Sequence, residues 1–193
     1  MLTGSVASSL HSKPRSTLDL DIVIAPSRAQ LLALIRQFPN DRYYADEQQA
    51  LRALANRSQF NVIDFATGWK VDFIIADNSE YGHTAFARKR LMDIAGRTMY
   101  VASAEDVLLA KLRRAKLGGS DRQLEDAAAI VDSQGSKLDI AYIERWFREL
   151  RLHEQWQVLP KERPGEGKSG ALCGAFPFVP AELCERAHRH PPR

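Results

Sequence analysis

The sequence predicts an α/β protein: a small sheet unit interleaved with helices, followed by a helical hairpin and a packing helix. Three observations carry this. Strand and helix signals alternate from Thr17 to Ala102. Three capped, amphipathic segments follow from Ser103 onward. The composition, 45% hydrophobic and 26% charged over 193 residues, is that of one globular domain.

Each element has a local reason. Thr17 to Ile24 (TLDLDIVI) alternates and is rich in strand formers, so it is expected as a strand. Pro26 to Phe38 is expected as a helix, because Pro26 suits its start and Leu31, Leu32, Ile35 and Phe38 form a stripe. Asp46 to Asn56 is a second helix, with Ala50, Leu51 and Leu54 inward. Gln59 to Phe65 and Trp69 to Ile75 are strands joined by a Thr67-Gly68 turn. Tyr81 to Ile94 is expected as one helix anchored by Phe86 and Leu91, and Met99 to Ala102 as a short strand. Ser103 with Asp106 makes a capping-box-like start, and Gly118-Gly119 end that helix. Ser120 with Gln123 repeats the device for a helix ending near Gly135, striped by Leu124, Ala127, Ala128 and Val131. Asp139 caps the last, with Ile140, Ile143, Phe147 and Leu150 inward.

These elements form one domain over 1–157, with a sheet part (1–102) and a helical part (103–157). Residues 158–193 hold six of the nine prolines, four of the eleven glycines and both cysteines, Cys173 and Cys184, so they read as a poorly ordered tail. The 27 basic and 24 acidic residues leave +3, too little to imply nucleic-acid binding by field alone. No apolar run approaches the roughly 18–20 residues that span a bilayer. Met1-Leu2-Thr3-Gly4 does not open a signal peptide, and the cysteines lack C-x-x-C spacing. A cytoplasmic, reduced protein is expected.

The residues able to do chemistry are few. Asp19 and Asp21 share one face of their strand, with Leu18, Leu20, Ile22 and Ile24 on the other. About 6.6 Å of strand separates the two carboxylates, so their oxygens can converge on a hard cation such as Mg²⁺. The plainer account is a solvated sheet face. Asp72 stands between apolar neighbours in Lys70 to Ile75, and an antiparallel neighbour of the first strand would bring it beside Asp19 and Asp21. Three such carboxylates can hold two Mg²⁺ ions roughly 3.5–4 Å apart. A lone polar residue at a strand end is the alternative. Gly4-Ser5 opens a small-residue stretch suited to a helix start, where backbone N–H groups could hold a phosphate or form an ordinary cap.

Lys111 lies three residues from Leu108 and borders the buried stripe, either reaching over the sheet or snorkelling at the helix edge. Asp126 is four residues from Arg122, which a surface pair explains. Arg88-Lys89-Arg90 and Arg113-Arg114-Lys116 either steer RNA or a triphosphate or form solvated helix faces. Trp146 and Trp156 read as core or interface aromatics. His11, His83 and His153 form no H-E-x-x-H pair, so no zinc site is expected, and neither G-x-x-x-x-G-K-[ST] nor G-x-G-x-x-G occurs.

Taken together, Gly4-Ser5, then Asp19-x-Asp21, then a distant strand Asp72 resembles the polymerase-beta-like nucleotidyltransferase superfamily. The stretch GSVASSLHSKPRSTLDLDIVI (Gly4 to Ile24) and SAEDVLLAKLRRAKLGGSDRQLEDAAAI (Ser103 to Ile130) are similar to its minimal bacterial members, which are related to abortive-infection toxins and antitoxins. The resemblance covers about residues 3–157. It implies a nucleotidyltransferase-like mixed sheet flanked by helices. It further implies that Gly4, Ser5 and Lys111 bind the nucleotide and that Asp19, Asp21 and Asp72 bind two Mg²⁺ ions (Mn²⁺ as the substitute). Asp72 would complete the site or act as base, with Arg15 and Asp126 as accessory residues.

The implied activity moves an NMP group from an NTP to a hydroxyl on RNA, protein or a small molecule, in a toxin–antitoxin or phage-defence setting. The alternative is a catalytically degenerate domain that binds nucleotide, RNA or a partner protein. Only Met1, Leu2 and Thr3 precede Gly4, so the sheet is expected to lack the strand that leads into the Gly-Ser motif in that superfamily.

Overall fold

In this computed structural model the described residues are 1–14 and 16–159. Arg15, the whole of 160–193 and both cysteines lie outside them, and with them most of the expected tail.

The elements run β1 (Leu2–Thr3), α1 (Gly4–His11), β2 (Asp19–Ile24), α2 (Arg28–Ile35), β3 (Tyr43–Ala45), α3 (Glu47–Asn56), β4 (Gln59–Asp64), β5 (Lys70–Ile75), α4 (Glu80–Ala87), β6 (Arg90–Ile94), β7 (Arg97–Val101), α5 (Ala104–Gly118), α6 (Asp121–Gln134), α7 (Ile140–Glu149) and α8 (His153–Gln157). The strands make one mixed sheet in the order β3-β4-β5-β2-β1-β7-β6. This is the α/β class the sequence predicts.

The centre of the sheet departs from expectation in a way that matters. β2 and β5 are parallel, with Asp19 beside Lys70 and Asp21 beside Asp72. The expected antiparallel pairing is wrong, because the turn at Gly68 (φ +72) gives β5 its antiparallel partner in β4. Only the other edge of β5 is then left for β2. A parallel pair needs a crossover, and α2, β3, α3 and β4 supply it. Asp72 still arrives beside Asp21, by a different route.

A first strand is also present. Leu2 and Thr3 pair antiparallel with Ile22 and Asp21, and Leu2 pairs parallel with Val101. The Met1 ammonium donates to Val23 O at 2.9 Å, and Val23 N donates back to Met1 O at 2.8 Å. The expectation of a missing strand is thus corrected. Two residues suffice because both of their neighbours in the sheet are in place.

Alternation sets the two faces of the sheet. The rows Ile22-Phe73-Phe60 and Leu20-Val71-Val62 form the apolar face. Phe60 and Phe73 stack at 5.2 Å, and Leu31, Ile35, Ala50 and Ala53 of α2 and α3 cover them. Burying such side chains stabilises by roughly 1.5–3 kcal/mol each. The row Asn61-Asp72-Asp21-Thr3 points to the opposite face. A second core joins Leu2 and Val101 to α5, α6 and α7, with Leu108, Leu112, Ile130, Ile143 and Trp146 at its centre.

Local signals mostly held. Ser103 accepts from Asp106 N and Asp139 accepts from Tyr142 N as expected, whereas α2 is shorter than the expected Pro26 to Phe38 and starts after Ser27, which forms a reciprocal capping box with Gln30. Ser120 does not cap α6 through its side chain. The expected helix from Tyr81 to Ile94 is instead α4 followed by the β6–β7 hairpin. Ala95 (φ 52) and Gly96 (φ 76) are both left-handed, the backbone of a tight hairpin turn. Leu91 is therefore 60% exposed on a strand and anchors nothing. β3 is a further strand that the sequence reading left out.

No helix among the described residues is long and apolar enough to cross a membrane.

Candidate functional site

The site begins where β1 passes into α1. Gly4 is left-handed (φ +66), and a β-carbon there would lie 1.8 Å from Asp21 Oδ2. The start of α1 and the Asp21 carboxylate thus pack directly together. Helix N-terminal N–H groups favour such a negative neighbour. Asp21 is buried at 7% exposure, although it carries a carboxylate.

Asp19 and Asp72 stand on the same face. Asp72 is mostly buried, whereas the Asp19 side chain is 56% exposed. Lys70 Nζ lies 3.0 Å from Asp72 Oδ2 and 3.5 Å from Asp19 Oδ1. The hydrogen bond to Asp72 raises the Lys70 pKa, against the lowering effect of burial. Arg114 reaches Asp21 Oδ1 at 3.5 Å. Each of the three carboxylates therefore has a cationic side chain of the chain itself beside it. Among the described residues, no three carboxylate, imidazole or thiolate groups converge tightly enough to hold one ion between them.

The donor chemistry nevertheless fits a hard divalent cation. Asp21 and Asp72 are side by side on paired strands, with Asp19 two residues away on the same face. Asn61, opposite Asp72 on β4, has its Oδ1 buried without a hydrogen-bond donor. An orphaned oxygen of this kind costs roughly 1–3 kcal/mol unless something outside the chain satisfies it.

Lys111 is where the sequence reading needs most revision. It neither snorkels nor reaches freely over the sheet. Its side chain is buried, donating to Asp126 Oδ2 at 2.6 Å and to Ser5 Oγ at 3.4 Å. Asp126 is thus the partner of a buried lysine, and the surface account of it falls. The pair ties α5 to α6, and its bond to Ser5 reaches the first turn of α1.

A cleft of about 590 Å³ opens beside this corner. Met1, Thr3, Val23 and Ile74 line it from the sheet, Tyr81, Ala85 and Phe86 from α4, and Ala110, Arg113 and Arg114 from α5. Gly4, Ser5, Asp21 and Lys111 also line it, while Asp19 and Asp72 do not. Arg57 adds a further cation at the end of α3, donating to Ala76 O at 3.0 Å. Of the expected set, the fold gathers Gly4, Ser5, Asp21, Asp72 and Lys111, and places Asp19 at the solvent edge. Arg15 lies outside the described residues.

The two basic clusters divide by role. Arg88 is structural: it contacts Glu105 at 3.2 Å, Asp106 at 3.6 Å and Asp139 at 3.8 Å, and sits 3.8 Å over the Tyr142 ring. Lys116 donates to the carbonyls of Leu150 and Arg151, at the end of α7. Only Arg113 and Arg114 face the cleft.

Sequence reasoning missed Lys70, Asn61 and Arg57. Lys70 had a legible signal, because it stands two residues before Asp72 on a strand and so shares its face.

No protein-family model matches the chain, and no curated protein does. Among solved structures, the chain is similar to the antibiotic-resistance factor ANT(2'')-Ia at 14% identity and TM-score 0.45, over 79% of this chain and 86% of that one. It is also similar to an antigenic nucleotidyltransferase-like protein from Paracoccidioides brasiliensis at 14% identity and TM-score 0.44, over 80% of this chain and 82% of that one. Neither likeness says what this chain acts on.

Proposed function

We propose that the chain is a metal-dependent nucleotidyltransferase that moves a nucleoside monophosphate from an NTP to a hydroxyl acceptor. The observation that carries the reading is the Gly4–Asp21 contact in the lining of a cleft that Arg113 and Arg114 also line. It sets helix N–H groups, a buried carboxylate and cations within one ligand's length, which suits a triphosphate that must be gripped and charge-balanced.

In this reading the NTP enters the cleft and its phosphates meet Arg113, Arg114 and the first turn of α1, with the Ser5 hydroxyl as a further donor. Lys111 and Asp126 hold that turn in place. Asp21 and Asp72 hold the divalent ions, with Asp19 at the open edge. When bound, those ions offset the triphosphate charge and make the acceptor hydroxyl easier to deprotonate. The acceptor oxygen bonds to the α-phosphorus, Asp72 receives the hydroxyl proton, and the bond to the β-phosphate breaks to release pyrophosphate. A toxin–antitoxin or phage-defence role is compatible with this chemistry, and a cytoplasmic setting suits an NTP substrate.

One observation favours a second reading, a catalytically silent nucleotide-binding domain: Lys70 and Arg114 already neutralise the acidic face. Thermal unfolding with Mg²⁺ and each NTP tests both readings. A ligand at 100 times its Kd adds about 2.7 kcal/mol. A shift that is lost in Asp19→Ala/Asp21→Ala, accompanied by pyrophosphate release, supports the transferase. A shift without release supports the binding domain. No shift for any NTP sinks both.

A further inference from the structure

We propose that Lys70 is a resident counter-cation: its ammonium sits between Asp19 and Asp72 in place of divalent metal and must leave before metal enters. The inference rests on the nucleotidyltransferase reading of the acidic face and deepens it.

The geometry is specific. Asp19 and Lys70 are paired residues on the parallel strands β2 and β5, and Asp72 follows Lys70 by two on the same strand. Backbone pairing therefore places all three side chains on one face. A β-ladder holds the Lys70 main chain, so only its four-carbon stem can move. That stem brings Nζ to 3.0 Å from Asp72 and 3.5 Å from Asp19 at once. No shift of the strands is needed to remove it.

Charge makes the arrangement exclusive. An ammonium 3.0 Å from Asp72 repels a divalent ion on that same carboxylate. The ammonium is also easy to displace. The Lys70 side chain is 33% exposed, so its pairs are partly screened and weak. Lysine suits this role better than arginine, since it is a compact, hydrated point charge on a flexible stem and forms no rigid fork on the carboxylates. On leaving, it can swing toward solvent. The consequence is that the acidic face binds metal weakly by itself. Without Lys70, Asp19 and Asp72 lose the cation that lies between them, while Asp21 keeps Arg114.

The test is calorimetric titration of the full chain with Mn²⁺ alone, for wild type, Lys70→Met, Lys70→Gln and Lys70→Arg. Two neutral variants guard against one failing to fold, which far-ultraviolet circular dichroism checks. Losing two screened pairs corresponds to roughly tenfold. The neutral variants are expected to bind Mn²⁺ roughly tenfold tighter than wild type, and Lys70→Arg to stay close to wild type. Neutral variants that bind Mn²⁺ no tighter than wild type overturn the proposal. So does an absence of Mn²⁺ binding in every variant, which also removes metal from the functional reading. Tighter Mn²⁺ in the neutral variants with no NTP-induced stabilisation of wild type leaves Lys70 as a counter-cation and sinks the nucleotidyltransferase reading instead.

Discussion

Gly4 and Asp21 occupy each other's space: a β-carbon on residue 4 would lie 1.8 Å from Asp21 Oδ2. Gly4→Ala must therefore displace either the start of α1 or the carboxylate, besides straining a left-handed backbone. Gly68 supplies the control. Its φ is +72, yet a β-carbon there meets nothing within 4 Å. Gly68→Ala is expected to cost the backbone strain alone, about 1 kcal/mol. Gly4→Ala is expected to cost about 2–4 kcal/mol and to weaken nucleotide binding. Urea unfolding of the two variants decides it. Equal losses would show that the Asp21 contact carries no weight.

The Lys111–Asp126 pair joins a buried ammonium to a mostly buried carboxylate, so breaking it differs from removing it. Lys111→Met removes the cation beside the Asp126 carboxylate and is expected to cost about 3–5 kcal/mol. Adding Asp126→Asn to that variant removes the charge that Lys111 balanced and is expected to restore most of the loss. The four stabilities form a double-mutant cycle. A double variant no more stable than Lys111→Met would mean the two side chains are not coupled.

What the sequence disclosed followed from how local each cause is. The strand around Asp19 and the caps at Ser103 and Asp139 depend on neighbours within a few residues, and they were legible. The split of Tyr81 to Ile94 was not, because Leu91, Met92 and Ile94 suit either period until the Ala95-Gly96 turn is weighed. The parallel pairing of β2 with β5 depends on which edge β4 leaves open, a choice made in three dimensions. The site divides in the same way. Gly4, Ser5, Asp21 and Asp72 belong to motifs and were named. Lys70 acts through an Asp19 that lies 51 positions earlier in the chain. Asp126 looked like a surface residue because its partner Lys111 comes from another helix.

Arg88 tests whether its basic cluster serves folding or ligands. Glu105 and Asp106 are both nearly buried beneath it. Arg88→Met leaves them without their cation and is expected to cost about 2–4 kcal/mol, with nucleotide affinity unchanged in the folded fraction. Arg113→Met is expected to do the reverse. Its exposed pair with Asp77 spans 3.7 Å, so the stability change stays within about 0.5 kcal/mol while NTP binding weakens. Paired unfolding and nucleotide-binding curves separate the two, and a stable Arg88→Met protein would refute the structural role.

Tyr142 gives the fold an alkaline limit. Its hydroxyl donates to Asp106 Oδ1 at 2.6 Å. Burial pushes its pKa well above the ordinary 10.0, and the Asp106 hydrogen bond and charge add to this. Tyr81 is raised in the same direction, chiefly by burial. The unfolded chain releases both phenol protons near pH 10, while the folded protein keeps them. Their contribution is therefore whole below that pH and falls as pH rises past it. Each retained proton gives a slope of about 1.4 kcal/mol per pH unit. Tyr142→Phe leaves Asp106 Oδ1 without its donor and is expected to lose about 1–3 kcal/mol at neutral pH. Above pH 10 it is expected to lose stability less steeply than wild type by the slope of one proton, because Tyr142 no longer contributes while Tyr81 and Lys70 still do. Its curve therefore approaches the wild-type curve as pH rises. Urea unfolding of both proteins between about pH 8 and 11 measures the two slopes. Parallel curves would mean that Tyr142 ionises as readily in the folded protein as in the unfolded chain, and that the bond to Asp106 does not hold its proton.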